Sequence, residues 1–174
     1  MPKTEQLYIL DSGHTFVYFE YCHFGFSRQI SRFDKISGEI KLNMKSRTGS
    51  VKIDIDTKSV STGSELFNSH IQGTEFFNTA QYPKTTFVSD RVEFEGSKVT
   101  AVHGVLTIKD ICELITLEVI HFEYGKHPVS GQEHFGANAV AVVKRSDFNM
   151  GKFTPQITDE VVIKVAIEAS KVEK

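Results

Sequence analysis

Long apolar runs are absent from this sequence. Nothing approaches the ~18 consecutive apolar residues that a membrane-crossing helix needs, so no stable membrane anchor is expected. Cysteine is scarce: Cys22 and Cys112 stand far apart and form no CxxC, which argues against a disulfide framework or a thiolate zinc site. Both are expected to behave as small, semi-buried apolar residues. Tryptophan is missing altogether. An excess of one charge is missing too, because 20 Lys and Arg face 22 Asp and Glu for a net charge of −2. With no basic stripe, polybasic tail or basic amphipathic helix, nucleic acid is not an expected partner. The opening run Met1-Pro2-Lys3-Thr4-Glu5-Gln6 lacks the apolar core of an export signal. As written, the chain reads as cytoplasmic; it would read as periplasmic if a signal had been removed. Repeats, low-complexity stretches and linkers are also lacking, so residues 1–174 are read as one domain, large enough to bury a full core.

What is present is strand signal. Residues 51–57 and 161–168 alternate apolar and polar, with Val161, Ile163, Val165 and Ile167 on one face. In residues 16–23, Val17, Phe19, Tyr21 and His23 share one face and Phe16, Tyr18, Glu20 and Cys22 the other. Further strands are expected at 38–44, 85–94, 99–108 and 115–122, joined by turns rich in Gly, Asp, Asn and Ser. One segment differs. Thr62-Gly-Ser-Glu65 has the capping-box pattern, and Leu66, Phe67, His70 and Ile71 follow at helical spacing, with Gly73 to end the helix. The sum is an all-β chain of about eight antiparallel strands with a short helical insertion. That count suits a closed barrel able to hold one ligand.

The sharpest local feature is a face of small side chains. Ala137, Ala139 and Ala141 alternate with Asn138, Val140 and Val142, and Val143 and Arg145 continue the alanine face. Pointed into a barrel, such a face leaves room where Leu or Ile would fill a core. The order of several short motifs then resembles the YceI-like family across residues 8–168. Tyr8-Ile-Leu-Asp11, His14-Thr15, Val17, Phe19 and His23 resemble its opening signature, and Phe33 and Gly38 its next turn and strand. Ser59-Val60-Ser-Thr62, His70-Ile71, Phe76-Phe77-Asn78 and Tyr82-Pro83 resemble its helical insertion, followed by Phe87 and Ser89. Val102, Gly104 and Leu106-Thr-Ile-Lys109 resemble its central strand, and Arg145-Ser-Asp-Phe148, Met150 and Asp159 its closing signature. Asp110, Asn149 and Ser31 stand where the family usually has Gly, and Asn68 and Asn78 where Asp is common; Asp110 and Asn149 are expected at positive φ.

The resemblance implies an extended lipocalin-like barrel, a homodimer, and an apolar tunnel for a polyisoprenoid, an isoprenoid quinone or a related long-chain amphiphile. Candidate ligand-binding residues are Val17, Phe19, Tyr21, His23, Phe76, Phe77, Phe87, Leu106, Ala137, Ala139, Ala141, Val143 and Arg145. No cofactor is expected beyond a bound lipid. The seven histidines show no HxH or HxxxH spacing, so no metal is expected. His23 is open to two readings, a hydrogen-bonded buried histidine or a head-group contact near the barrel mouth; His14 shares them. Arg145 is either paired with Asp11 or Asp147, or it holds a ligand oxygen. Phe76 and Phe77 are core or a lid, while Asp11, Ser89 and Thr107 read as structural caps and hydroxyls. No GxSxG elbow or metal motif is present, so an enzyme is not expected. The competing reading is a packed barrel acting through its surface or dimer interface. It would hold if Phe19, Phe87 or Phe135 filled the space beside the alanines. An enzyme acting on a bound lipid is the third.

Overall fold

The computed structural model describes residues 5–173. Residues 1–4, on which most of the leader reading falls, lie outside the described residues. Eleven strands and one α-helix follow in chain order: β1 (Gln6–Leu10), β2 (Phe16–His23), β3 (Ser27–Phe33), β4 (Ile36–Asn43), β5 (Thr48–Asp56), β6 (Val60–Ser61), α1 (Glu65–Ile71), β7 (Lys84–Glu95), β8 (Lys98–Ile108), β9 (Ile111–Lys126), β10 (Glu133–Lys144) and β11 (Glu160–Lys171). Eight of them close a barrel in the order β1-β4-β5-β7-β8-β9-β10-β11, with β11 returning to β1. The remaining three, β2, β3 and β6, extend one end of the wall beyond β11.

This layout follows from one bend. A short 3₁₀ turn at Ser12–His14 separates β1 from β2, and the Asp11 side chain caps it by accepting from Gly13 N. Both strands still run along β11: β1 pairs with its C-terminal end (Leu10↔Ala169) and β2 with its N-terminal half (Val17↔Val165). Thr15, fully buried, ties the bend to β11 by donating through Oγ1 to the Glu168 carbonyl at 3.4 Å.

The expected alternation holds along β11, whose Val161, Ile163, Val165 and Ile167 all face inward onto the cavity described below. Small residues of β10 lie opposite large ones of β11, with Ala137↔Ile167, Ala139↔Val165 and Ala141↔Ile163 in register. In β9, Leu117, Val119 and Phe122 all face inward, which a regular strand forbids. A bulge resolves this: Asn138 pairs with His121 and Ala139 with Val119, and Ile120 is left as the extra, outward-facing residue. The Lys109-Asp110 turn between β8 and β9 has φ of 54° and 62°, the left-handed pair that a two-residue hairpin demands. Asn149 likewise adopts φ 55°. The helix cap differs from expectation. Ser64, not Thr62, is the N-cap and accepts from Phe67 N, whereas Thr62 donates from N and Oγ1 to Asn68 Oδ1 at 2.7 and 2.6 Å. Asn68 meets this need as well as Asp would, because only acceptor lone pairs are used.

Aromatic packing floors the barrel at the end opposite β2 and β3. Tyr8 meets Phe135 edge-on at 5.0 Å, and Phe135 stacks on Phe122 at 5.6 Å. Close strand approach constrains Gly38 of β4, where a Cβ would stand 2.2 Å from the Lys52 carbonyl oxygen of β5. That oxygen belongs to the backbone and cannot turn aside. Gly38→Ala is therefore expected to cost more than about 2 kcal/mol, read as a lowered urea midpoint at unchanged m-value.

Candidate functional site

Inside the barrel lies an apolar cavity of about 390 Å³. It falls toward the small end of the range for ligand pockets, roughly 300–1,000 Å³. Inward faces of the barrel strands and β2 supply its wall, including Phe19, Ile40, Ile53, Phe87, Leu106, Leu117, Ala139 and Val165. Phe67, Ile71, Phe76 and Phe77 of the helical insertion cover one flank. Phe77 packs edge-on against both Phe19, at 6.1 Å, and Phe33, at 5.3 Å. The wall of the opposite side ends in residues 149–158, which contribute Met150, Phe153 and Ile157. An ion pair between Lys152 and Glu75 joins these residues to the insertion. Phe24 at the tip of the β2–β3 hairpin lies 6.1 Å from Phe153.

Apart from Thr15 at the bend and His70 in the insertion, the polar groups in this wall gather at the mouth. β2 runs upward to His23, β10 runs upward to Lys144 and Arg145 follows, and β7 starts downward at Lys84. Tyr21, His23, Thr85 and Arg145 therefore share one end, the end away from the Tyr8–Phe135 floor.

Arg145 is not held by the acids expected to pair with it. Nε donates to the Thr158 carbonyl at 2.9 Å, and Nη1 donates to the carbonyls of Met150 at 2.7 Å and Lys152 at 2.9 Å. Nη2 donates to Thr154 Oγ1 at 3.1 Å and the Ile157 carbonyl at 2.8 Å. A guanidinium has five N–H bonds, and all five are used. No ion pair with Asp11 or Asp147 forms among the described residues. Asp11 sits instead at the exposed bend with His14 Nδ1 at 2.8 Å. That contact holds the Asp11 carboxyl below its usual range and raises the His14 imidazole. Burial pushes the Arg145 guanidinium down, opposed by the nearby Asp159 charge. Asp159 accepts from Ser146 N at 2.8 Å and Ser146 Oγ at 2.6 Å. Partial burial would raise its carboxyl, but these two bonds and the Arg145 charge outweigh it and leave the group below its usual range. Ser146 is thus engaged with a carboxylate and makes no hydrolase-like contact with histidine.

A family model described as the YceI-like domain matches residues 8–169. The chain belongs to the YceI-like family. The protein YceI of Salmonella arizonae is 30% identical over 159 residues, covering 91% of this chain and 82% of that protein. Among solved structures, BcnA of Burkholderia cenocepacia superposes with a TM-score of 0.77 at 27% identity, over 91% of this chain and 98% of that one. A polyisoprenoid-binding domain from Saccharophagus degradans superposes with a TM-score of 0.71, over 95% of this chain and 98% of that one. Its identity is 18%, so that likeness shows the fold alone.

On this YceI-like barrel, Val17, Phe19, Tyr21, His23, Phe76, Phe77, Phe87, Leu106, Ala137, Ala139, Val143 and Arg145 all reach the cavity wall. Ala141 does not. It is buried on the same face, but its single methyl group stops short where its register partner Ile163 reaches the space. His23 is not a hydrogen-bonded core histidine: its ring packs edge-on against Phe24 at 4.7 Å and makes no hydrogen bond among the described residues. His14 is exposed and lies outside the wall. The β4 and β5 wall residues, such as Ile40 and Ile53, were missed as site residues although their strands alternate visibly. Thr85 carried no signal, since an isolated threonine in a strand is unremarkable.

Two outcomes follow from the Arg145 bracket. Replacing Arg145 with Met strands five acceptors, three of them on buried or half-buried residues, so unfolding free energy should drop by about 3–5 kcal/mol, and Arg145→Lys should restore only a minor part. A guanidinium free to serve a ligand would leave the urea midpoint nearly unmoved. Asp159 sets a pH dependence. Its folded-state value lies below its unfolded one, so its contribution is present at neutral pH and fades as pH falls through the folded value. Asp159→Asn should therefore be less stable than the parent at pH 7, and the gap should narrow as pH falls below the ordinary aspartate range, read from urea midpoints across a pH series.

Proposed function

We propose that this protein binds a long-chain apolar ligand inside its barrel and carries or sequesters it. A polyisoprenoid, an isoprenoid quinone or a related amphiphile fits the chemistry. The observation that carries this reading is the apolar space left among wall residues that are individually well buried. Phe19, Phe87 and Phe135 line that space rather than fill it, which speaks against a packed barrel. Membership in the YceI-like family and the barrel shared with a polyisoprenoid-binding domain support the same reading.

Energetics set how such a carrier works. Moving one CH₂ out of water is worth about 0.8 kcal/mol. A polyprenyl chain leaving a bilayer, however, exchanges one apolar surrounding for another at little net cost. Loading then turns on polar contacts at the head and on access past the mouth. No nucleophile–base pair is arranged in the described wall, so the ligand is expected to be returned unchanged. Leu114 and Ile120 of β9 and Val142 of β10 point outward and are exposed, which supports this side as the face of the homodimer expected of the family.

Mass spectrometry of an organic extract of the purified protein should reveal a co-purified long-chain lipid. Ala139→Trp should block the cavity, removing most of the affinity for a fluorescent long-chain lipid at a stability cost of about 1–3 kcal/mol. Undiminished binding by the folded variant would take this wall out of the site.

A further inference from the structure

The mouth end of the cavity holds three polar side chains that the protein leaves without hydrogen bonds. Thr85 Oγ1 is buried and has no partner. Tyr21 is 6% exposed, and its hydroxyl makes no hydrogen bond among the described residues. The His23 imidazole, as shown, has only the Phe24 ring against it. Buried polar groups without partners cost about 1–3 kcal/mol each and are uncommon in folded proteins. Here two of them, on the buried Tyr21 and Thr85, occur in the wall of one apolar space and at one end of it, beside the half-buried His23.

Charge is scarce at this end in a specific way. Arg145 is the wall's one permanently charged residue among those described, and its five donors are spent on Met150, Lys152, Thr154, Ile157 and Thr158. Turning it toward a ligand would release residues 149–158. Lys109, the nearby amine, is buried outside the wall and donates to the Asn149 carbonyl at 3.1 Å. A phosphate, pyrophosphate or carboxylate placed here would be desolvated with no permanent cation free to donate to it; it would face the His23 and His70 imidazoles, when protonated, and the field of the already bonded Arg145. An uncharged oxygen needs no such cation. The Tyr21 and Thr85 hydroxyls can each donate to a carbonyl oxygen or bond an alcohol, and His23 can do either according to its tautomer.

We propose that Tyr21, His23 and Thr85 form a head-group subsite for an uncharged hydroxyl or carbonyl oxygen at the end of an apolar chain, and that this protein selects neutral-headed over anionic-headed lipids. The inference rests on the carrier reading above and adds the class of head it takes. It places the specificity of the site in three side chains that are not needed to hold the barrel together.

Competitive displacement of the uncharged dye N-phenyl-1-naphthylamine tests it. The competitors are geranylgeraniol, geranylgeranyl pyrophosphate, a long-chain methyl ketone and the hydrocarbon phytane. The alcohol and the ketone should both bind at least about tenfold more tightly than the pyrophosphate. Tyr21→Phe and Thr85→Val should each weaken the alcohol and the ketone by roughly 2- to 12-fold, leaving phytane and the pyrophosphate unchanged. Both variants should melt no lower than the parent, since they remove a hydroxyl that has no partner in the protein. Equal affinity of alcohol and pyrophosphate would overturn the subsite, as would an unchanged alcohol affinity in both variants or a melting temperature lowered by each. Phytane bound without any discrimination among heads would leave the carrier reading standing and remove the subsite alone. Failure of every competitor, phytane included, would overturn both.

Discussion

The structure depends on how β11 divides its edge. Its last residues close the barrel against β1 through Tyr8↔Lys171, Ile9↔Ser170 and Leu10↔Ala169, while its first half takes β2 as neighbour. Both strands come from one run of chain, bent at Ser12–His14 and tied to Glu168 through Asp11 N and Thr15. Because β2 continues past the start of β11, the β2–β3 hairpin stands above the rim. Past Lys84, β7 has no upward continuation to pair with β6, so that flank is open to the insertion. A floor sealed by aromatics and a mouth roofed by α1 and its following turn both result from that single division.

Arg145 does for the mouth what the ladders do for the wall. Residues 149–158 contain no strand or helix, and a stretch that irregular leaves carbonyls with no partners of its own. One planar guanidinium gathers four of them and one hydroxyl. A lysine has three donors on a mobile stem and could not span the same fan. The cost is a half-buried charge without a contacting carboxylate, offset by five charge-assisted bonds and by the field of Asp159. This arrangement also leaves the donors of the one permanent cation among the described residues of the cavity wall bonded within the protein rather than open to the cavity.

The barrel was legible in the sequence because alternation at period two survives in β2, β8, β10 and β11, and because small side chains on β10 oppose branched ones on β11. The same pattern placed Val17, Phe19, Tyr21 and His23 on the inward face. β3 was not legible, since Ser27 to Arg32 is largely polar and solvent-facing and its pairing with β2 supplies the strand. The β9 bulge was hidden because Ile120 is as apolar as the inward residues beside it. Arg145 misled for a simpler reason. Its partners are backbone carbonyls, which every residue carries, so no pairing of side chains in the sequence could disclose them. The helix cap shifted from Thr62 to Ser64 because both are hydroxyl residues within one turn and Asn68 claims the first.

An unfilled apolar space is a standing cost, because its lining atoms lack contact on one side. Larger residues at positions 137 and 139 would reduce that cost, although Ile167 and Val165 opposite them already claim part of the room. The fold therefore carries a deficit that an occupant repairs. Any molecule that fills the space binds the folded state alone and stabilises it in proportion to the logarithm of its concentration over its dissociation constant. Occupancy and stability become one equilibrium in this protein. If the occupant is the lipid tail proposed above, it gains little in passing from a bilayer to the cavity, and the small terms remain to set its direction. In the carrier reading those terms lie at the mouth, in the Lys152–Glu75 contact, the Phe24–Phe153 pair and the hydroxyls of Tyr21 and Thr85.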